Sequence, residues 1–134
     1  MKKFEVEEFR FLEYDWDVVD FKYPSWSRCY EYPWVLNAIE KRAVQDRLYT
    51  VHNSSWGQPD INSHIEFKKD LEEKYLVLNS DIHDMKYGHG TYFYDITKED
   101  SRLEEKFDFV VNVSTMEHLP QSKWKDIIKN LLKQ

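Results

Sequence analysis

The segment Lys106–Pro120, Lys-Phe-Asp-Phe-Val-Val-Asn-Val-Ser-Thr-Met-Glu-His-Leu-Pro, constrains the fold more than any other part of the chain. A charged turn leads into the mostly apolar run Phe107–Val113, which gives way abruptly to small polar and ionisable residues. That pattern predicts a buried strand with chemistry at its carboxyl end. In an open parallel sheet, the side chains just beyond the strand ends form the crevice in which ligands bind. Ser114, Thr115, Glu117 and His118 are therefore expected at the mouth of a site, with a helix starting after Pro120. In that helix Trp124, Ile127, Ile128, Leu131 and Leu132 recur at the spacing of a stripe packed on one side.

Upstream, strand-like and helix-like segments alternate. Leu48–Val51 is short and β-prone, and it runs into His52-Asn53-Ser54-Ser55-Trp56-Gly57, which reads as a small-residue loop. Ser63-x-x-Glu66 has the form of a capping box, so a helix is expected from about Ile61 or Ser63 to Glu73. Strand, polar loop and helix make the first unit of a nucleotide-binding α/β fold, in which loop N–H groups and the helix N-terminus face the ligand. Lys74–Leu78 is expected as the second strand, ending at Asn79-Ser80-Asp81, and Thr91–Tyr94 as the third, stopping at Asp95-Ile96-Thr97. His83–Gly90 is a polar loop whose histidines match no metal-ligand spacing, and Lys98–Lys106 is a charged connection with one helical turn at most.

Before the first strand, Tyr23-Pro24-Ser25-Trp26 reads as a turn. A helix is expected from Pro33, because proline is tolerated in a first turn and Val35, Leu36, Ile39 and Ala43 recur at helical spacing. Tyr32 and Trp34 read as packing aromatics or as ligand contacts. In Met1–Lys22, Phe4 and Val6 alternate with charges and Phe9 and Phe11 do so after a one-residue slip, the pattern of an extended segment with a bulge.

Composition narrows the functional classes. With 134 residues the chain is read as one domain. A formal charge of −6 argues against a general nucleic-acid or membrane-surface binder, which needs clustered Lys and Arg. The single cysteine, Cys29, has no internal disulfide partner, no apolar run approaches a membrane span, and charges stand where a signal peptide has its apolar segment. The expectation is a soluble, cytoplasmic protein.

Phe-Asp-Phe-Val-Val-Asn-Val-Ser-Thr-Met-Glu-His-Leu resembles the fourth-strand motif of class I S-adenosylmethionine-dependent methyltransferases, in which a Phe-Asp-x-Val strand leads into a Glu-His-hydrophobic step. The Arg-x-x-Glu-Tyr-Pro-Trp element at Arg28–Trp34 resembles the lead-in helix of some methyltransferase-like proteins. The likeness covers residues 28–134, with 1–27 as an N-terminal extension. It implies an α/β, Rossmann-like three-layer sandwich with a mostly parallel sheet of order 3-2-1-4, truncated relative to the full family fold. The missing part would hold the fifth strand, the antiparallel end hairpin and much of the acceptor pocket. The exposed edge of the fourth strand would be covered by Phe4–Phe11 or by a second copy of the chain.

The same resemblance implies roles for individual residues. S-adenosylmethionine would lie across Asn53, Ser54, Ser55, Trp56 and Gly57, with Asp81 accepting from the ribose hydroxyls and Asp95 and Ile96 at the adenine. Its methyl would point toward Ser114 and the pair Glu117 and His118, one of which would act as base toward a small-molecule or sugar acceptor. The sequence departs from the family at the first loop, where an acidic residue followed by Gly-x-Gly is reduced to Gly57. Other readings stay open: Asp81 and Asp95 as turn or helix caps, Glu117 capping the last helix with His118 packed beneath it, and the whole chain as a non-catalytic α/β binding or assembly module that has lost the cofactor.

Overall fold

The computed structural model describes residues 19–25, 27–57, 61–82 and 91–134. The Phe4–Phe11 segment, Trp26 and the His83–Gly90 loop lie outside the described residues. The elements run α1 (Arg28–Arg42), β1 (Thr50–Ser54), α2 (Asn62–Lys74), β2 (Leu76–Asp81), β3 (Tyr92–Phe93), β4 (Phe109–Asn112) and α3 (Trp124–Leu132), with short 3-10 turns at Met116–His118 and Gln121–Lys123 before α3. The strands form one parallel sheet, as the alternation of strands and helices predicts, in the order β3-β2-β1-β4 that the resemblance implied. The fold is α/β and Rossmann-like.

Side-chain alternation along the strands sorts the molecule into layers. Val51, Val77, Phe109, Val111 and Val113 point to the face covered by α1 and α2, where they meet Tyr32, Ile39, Phe67 and Leu71. Burying a Phe67 or Leu71 side chain is worth about 1.5–3 kcal/mol each, so this layer supplies most of the cohesion around β1. Leu78 points the other way, into a second cluster in which Ile127, Trp124 and Leu131 of α3 pack on Tyr94, Ile96 and Leu103. The predicted stripe on α3 is only partly used. Ile127 is buried, whereas Ile128 and Leu132 are exposed and Asn130 occupies the inner face, donating from Nδ2 to the Ile96 carbonyl at 3.0 Å.

Helix α1 begins at Arg28, ahead of the expected start at Pro33. Proline inside a helix removes the N–H that would bond to the carbonyl four residues earlier. Here that carbonyl, Cys29, instead accepts from the backbone N–H of Asp20 at 2.8 Å, so the chain entering the helix fills the gap that Pro33 leaves. Ser63 does not act as an N-cap: Ile61 is the N-cap residue, and the Ser63 hydroxyl accepts from the Ser25 N–H at 3.0 Å. That bond ties the segment before α1 to the first turn of α2.

The largest correction concerns β1. His52, Asn53 and Ser54, expected in a loop, are the last three residues of the strand and are buried. The parallel register runs from Thr50↔Leu76 to Ser54↔Ser80 on one side and from Val51↔Phe109 to Ser54↔Asn112 on the other. A buried polar run is tolerated only when each group finds a partner. Asn53 donates to Asn79 Oδ1 at 3.1 Å, and Asn112 donates to Ser54 Oγ at 3.3 Å. The amide oxygen of Gln134 faces His52 Nδ1, and Ser80 Oγ lies 2.6 Å from Nε2. Because an amide oxygen only accepts, Nδ1 carries the proton and Nε2 accepts from the serine hydroxyl. Gln134 Nε2 in turn donates to the Tyr94 hydroxyl at 2.9 Å. β2 shifts in the same sense, with Asn79, Ser80 and Asp81 inside the strand and not beyond its end.

Burial holds the His52 imidazole below its usual pKa, against a smaller opposing effect of its bond to Gln134. The unfolded chain protonates this imidazole near the usual value of about 6.5 and the folded chain only at lower pH, so below about 6.5 the unfolded state binds more protons. Stability contributed by neutral His52 is therefore full above that value and is lost as pH falls toward the folded one. Urea unfolding between pH 7.5 and 5.5 is expected to show stability falling by up to about 1.4 kcal/mol per pH unit from this group. A His52→Gln variant, though less stable throughout, should show a shallower slope; an identical slope would mean that His52 does not carry the effect.

Candidate functional site

A cavity of about 550 Å³ opens at the carboxyl ends of β1, β2 and β4. β1 and β4 are neighbours although β1 connects in sequence to β2, so their connections leave in opposite directions and a crevice forms between them. Its wall includes Ser55, Trp56 and Gly57 after β1, Asp81 at the end of β2, and Ser114 and His118 after β4. Both chain exits are conformationally unusual. Ser55 has φ 55° and Ser114 has φ 50°, left-handed values that non-glycine residues seldom adopt and that persist only where the surroundings hold them.

After β1, the turn is held by β2. The Trp56 N–H donates to the Ser80 carbonyl at 3.1 Å, and the Gly57 N–H donates to Asp81 Oδ2 at 3.1 Å. Asp81 is 5% exposed and belongs to the cavity wall. Gly57 has φ 110°, and a Cβ built there would lie 2.1 Å from His64 Nδ1. The position thus needs glycine twice over, for its backbone angle and for the imidazole against it. The Trp56 ring is buried, with Nε1 donating to Thr91 Oγ1 at 3.0 Å and the Lys68 ammonium 5.9 Å from the ring.

After β4, the exit is held by α1. Arg28 Nη1 donates to Ser114 Oγ at 2.5 Å and to Glu31 Oε2 at 2.5 Å, while Ser114 Oγ donates to Glu31 Oε1 at 2.8 Å. This three-residue clasp joins the first turn of α1 to the strained residue beyond β4. The Arg28 guanidinium sits 5.6 Å from the Tyr32 ring centroid, and Tyr32 is stacked on Phe67 at 4.0 Å. Burial raises the Tyr32 hydroxyl to about 12, against the opposing influence of Arg28, so it stays neutral in the working pH range. Arg28 Nε is buried and finds no acceptor among the described residues. Leaving such a donor unsatisfied costs about 1–3 kcal/mol.

Of the residues singled out in the sequence, Ser55, Trp56, Gly57, Asp81, Ser114, Thr115 and His118 line the cavity. Asn53 and Ser54 are interior strand residues that do not line it. Asp95 Oδ1 accepts from the N–H and hydroxyl of Thr97 at 3.0 and 2.7 Å, a local turn, and Ile96 is buried in the core against α3; neither lines the crevice. Glu117 and His118 lie in the 3-10 turn, their side chains 55% and 78% exposed and 3.8 Å apart. Glu117 therefore does not cap α3, whose N-cap is Lys123, and His118 is not packed beneath the helix. Trp34 is exposed, whereas Tyr32 is both a packing residue and part of the wall.

Arg28 and His64 also line the cavity. For Arg28 the i, i+3 spacing to Glu31 was a usable signal, since residues three apart on a helix face each other. His64 gave none, because its relation to Gly57 exists only in the folded chain. A ligand with hydroxyls at one end and an anionic group at the other fits this wall. Asp81 offers an acceptor, and the orphaned Arg28 Nε belongs to a cation in the same wall. Among the described residues no cluster of His, Cys, Asp or Glu is arranged to hold a metal, and no helix is long and apolar enough to cross a membrane.

No protein-family model, no curated protein and no solved structure matches the chain.

Gly57→Ala is expected to lower stability by about 1–3 kcal/mol in urea unfolding, from overpacking and the disfavoured backbone angle together. Adding His64→Ala should recover the packing part only. Parental stability in Gly57→Ala would show that the turn can rearrange freely.

Proposed function

We propose that the crevice binds S-adenosylmethionine and that the chain is a methyltransferase, or a degenerate relative of one, acting on a small-molecule or sugar acceptor. The observation that carries this reading is Asp81, a carboxylate at the end of β2 in the crevice wall, holding the Gly57 N–H through one oxygen. A carboxylate has acceptor capacity on both oxygens, which suits the paired hydroxyls of a ribose. The parallel order with β1 beside β4 supports the choice of this end of the sheet.

When bound, the cofactor supplies a methyl group already activated on a sulfonium sulfur, so the protein's task is to align a nucleophile with it. The chain's own residues offer three contributions. Ser55 and Gly57 bring backbone close to the ligand, Asp81 orients its hydroxyls, and His118 at the rim can accept a proton from an acceptor hydroxyl within hydrogen-bond reach. Glu117 Oε1 lies 3.8 Å from His118 Nε2, beside it on the same 3-10 turn.

One observation favours the second reading, a binding or assembly module without the cofactor. His64 fills the space against Gly57 in the first loop, where the family pattern keeps backbone exposed. Calorimetric titration separates the two. The purified chain should show saturable heat with S-adenosylmethionine and S-adenosylhomocysteine, and a folded Asp81→Ala variant should bind both at least about tenfold more weakly, the loss of a charge-assisted hydrogen bond. No heat from a folded sample would favour the module.

A further inference from the structure

We propose that the free edge of β4 is the docking site of the chain's own N-terminal segment, residues 4–11, which adds to the sheet as a further strand.

β4 pairs on one side with β1 and, among the described residues, with no strand on the other. Such an edge presents a row of backbone N–H and C=O groups, a template for another extended segment. The side chains along it are also incompletely covered. Phe109 and Val113 are only half-buried on the α1 face. Val110 points the other way by alternation and, among the described residues, joins neither core cluster. On that second face α3 leaves Ile128 and Leu132 exposed.

Three observations choose the occupant. The first is pattern: Phe4, Val6, Phe9 and Phe11 alternate with charged residues, as in a strand covered on one face, and the slip after Val6 is that of a bulge, a device common at sheet edges. The second is reach. The Asp20 N–H is bonded to the Cys29 carbonyl in the first turn of α1, and the adjoining Arg28 bonds to Ser114 just beyond β4. The segment is thus tethered beside the helix whose Val35 and Leu36 pack in the same cluster as Phe109 and Val111. Residues 12–18 span up to about 23 Å when extended, enough to cross a helix about 10–12 Å wide. A tether of that kind also holds the segment at an effective concentration on the order of millimolar.

The third observation is charge. Residues 1–18 hold six acidic and three basic side chains, whereas residues 121–134 hold four lysines and one aspartate, with Lys123, Lys125 and Lys129 exposed. Opposite excesses draw the segment to the side of the sheet that α3 covers. A second copy of the chain fits the edge less well. Pairing β4 with its own copy about a two-fold axis would bring two lysine-rich α3 helices onto one face.

Hydrogen exchange of the full chain, read by mass spectrometry at low ionic strength, tests the docking. Residues 4–11 should exchange at least roughly tenfold more slowly than the same sequence as a free peptide, and equally so at every protein concentration. A variant carrying Phe9→Asp and Phe11→Asp should lose that protection and exchange Phe109–Asn112 roughly tenfold faster, with α2 unchanged. Should it fail to fold, Lys125→Glu with Lys129→Glu changes only exposed positions and should speed exchange of residues 4–11 severalfold. Free-peptide rates at residues 4–11, or protection there that neither variant alters, overturns the proposal. So does protection of β4 that rises with protein concentration, which would give the edge to a second copy.

Discussion

β1 is paired on both edges and covered on both faces, and the rest of the structure follows from that position. Its five residues must satisfy backbone ladders to β2 and β4 while placing Val51 and Asn53 toward α1 and α2, and His52 and Ser54 toward α3. Three of the five, His52, Asn53 and Ser54, are polar and buried. Each requires a partner from a distant part of the chain, and each has one: Asn79 and Ser80 from β2, Asn112 from β4 and Gln134 beyond α3. These bonds tie the register of the sheet to its contents, since a slip of one residue would turn each polar group toward the wrong face. A row of well-packed valines in their place would give cohesion with less specificity of pairing.

The same strand sets the site. Where β1 ends, the chain turns through Ser55 in a left-handed conformation, and where its neighbour β4 ends, Ser114 does the same. Such strain persists only when it is held from outside the turn. β2 holds the first exit through the Ser80 carbonyl and the Asp81 carboxylate; α1 holds the second through Arg28 and Glu31. The crevice therefore lies among groups already fixed by the fold, a rigid setting in which little ordering is left to do on binding. The opposite end of the sheet is built differently. There Asp108 is paired with Arg47 and takes the Thr50 N–H and hydroxyl, which holds its carboxyl well below the usual range. These exposed bonds pin the starts of β1 and β4.

How far the sequence could be read depends on whether each signal was local. The parallel sheet followed from alternating apolar segments and helices, its order from the resemblance of the Phe107–Leu119 motif to a known family, and the end of β4 from the abrupt change at Ser114. Boundaries failed where non-local partners decided them. His52, Asn53 and Ser54 look like loop residues, because polarity alone cannot reveal that Ser80, Gln134, Asn79 and Asn112 will meet them. The start of α1 was hidden by Pro33, whose missing hydrogen bond is made good by Asp20 from outside the helix. Asp81 and Gly57 could each be picked out, but not the bond between them. Arg28 was visible as part of an i, i+3 pair, and its relation to Ser114, 86 residues away, was not.

The central claim is that the switch-point end of the sheet is the ligand-binding end. Amide chemical-shift mapping by NMR during titration with S-adenosylhomocysteine tests it most directly. The account predicts saturable shifts at Ser55, Gly57, Asp81 and Ser114 with Thr50, Asp108 and the start of β2 unmoved. Shifts confined to the Thr50 and Asp108 end, or a spectrum of the folded chain that does not change, would contradict it.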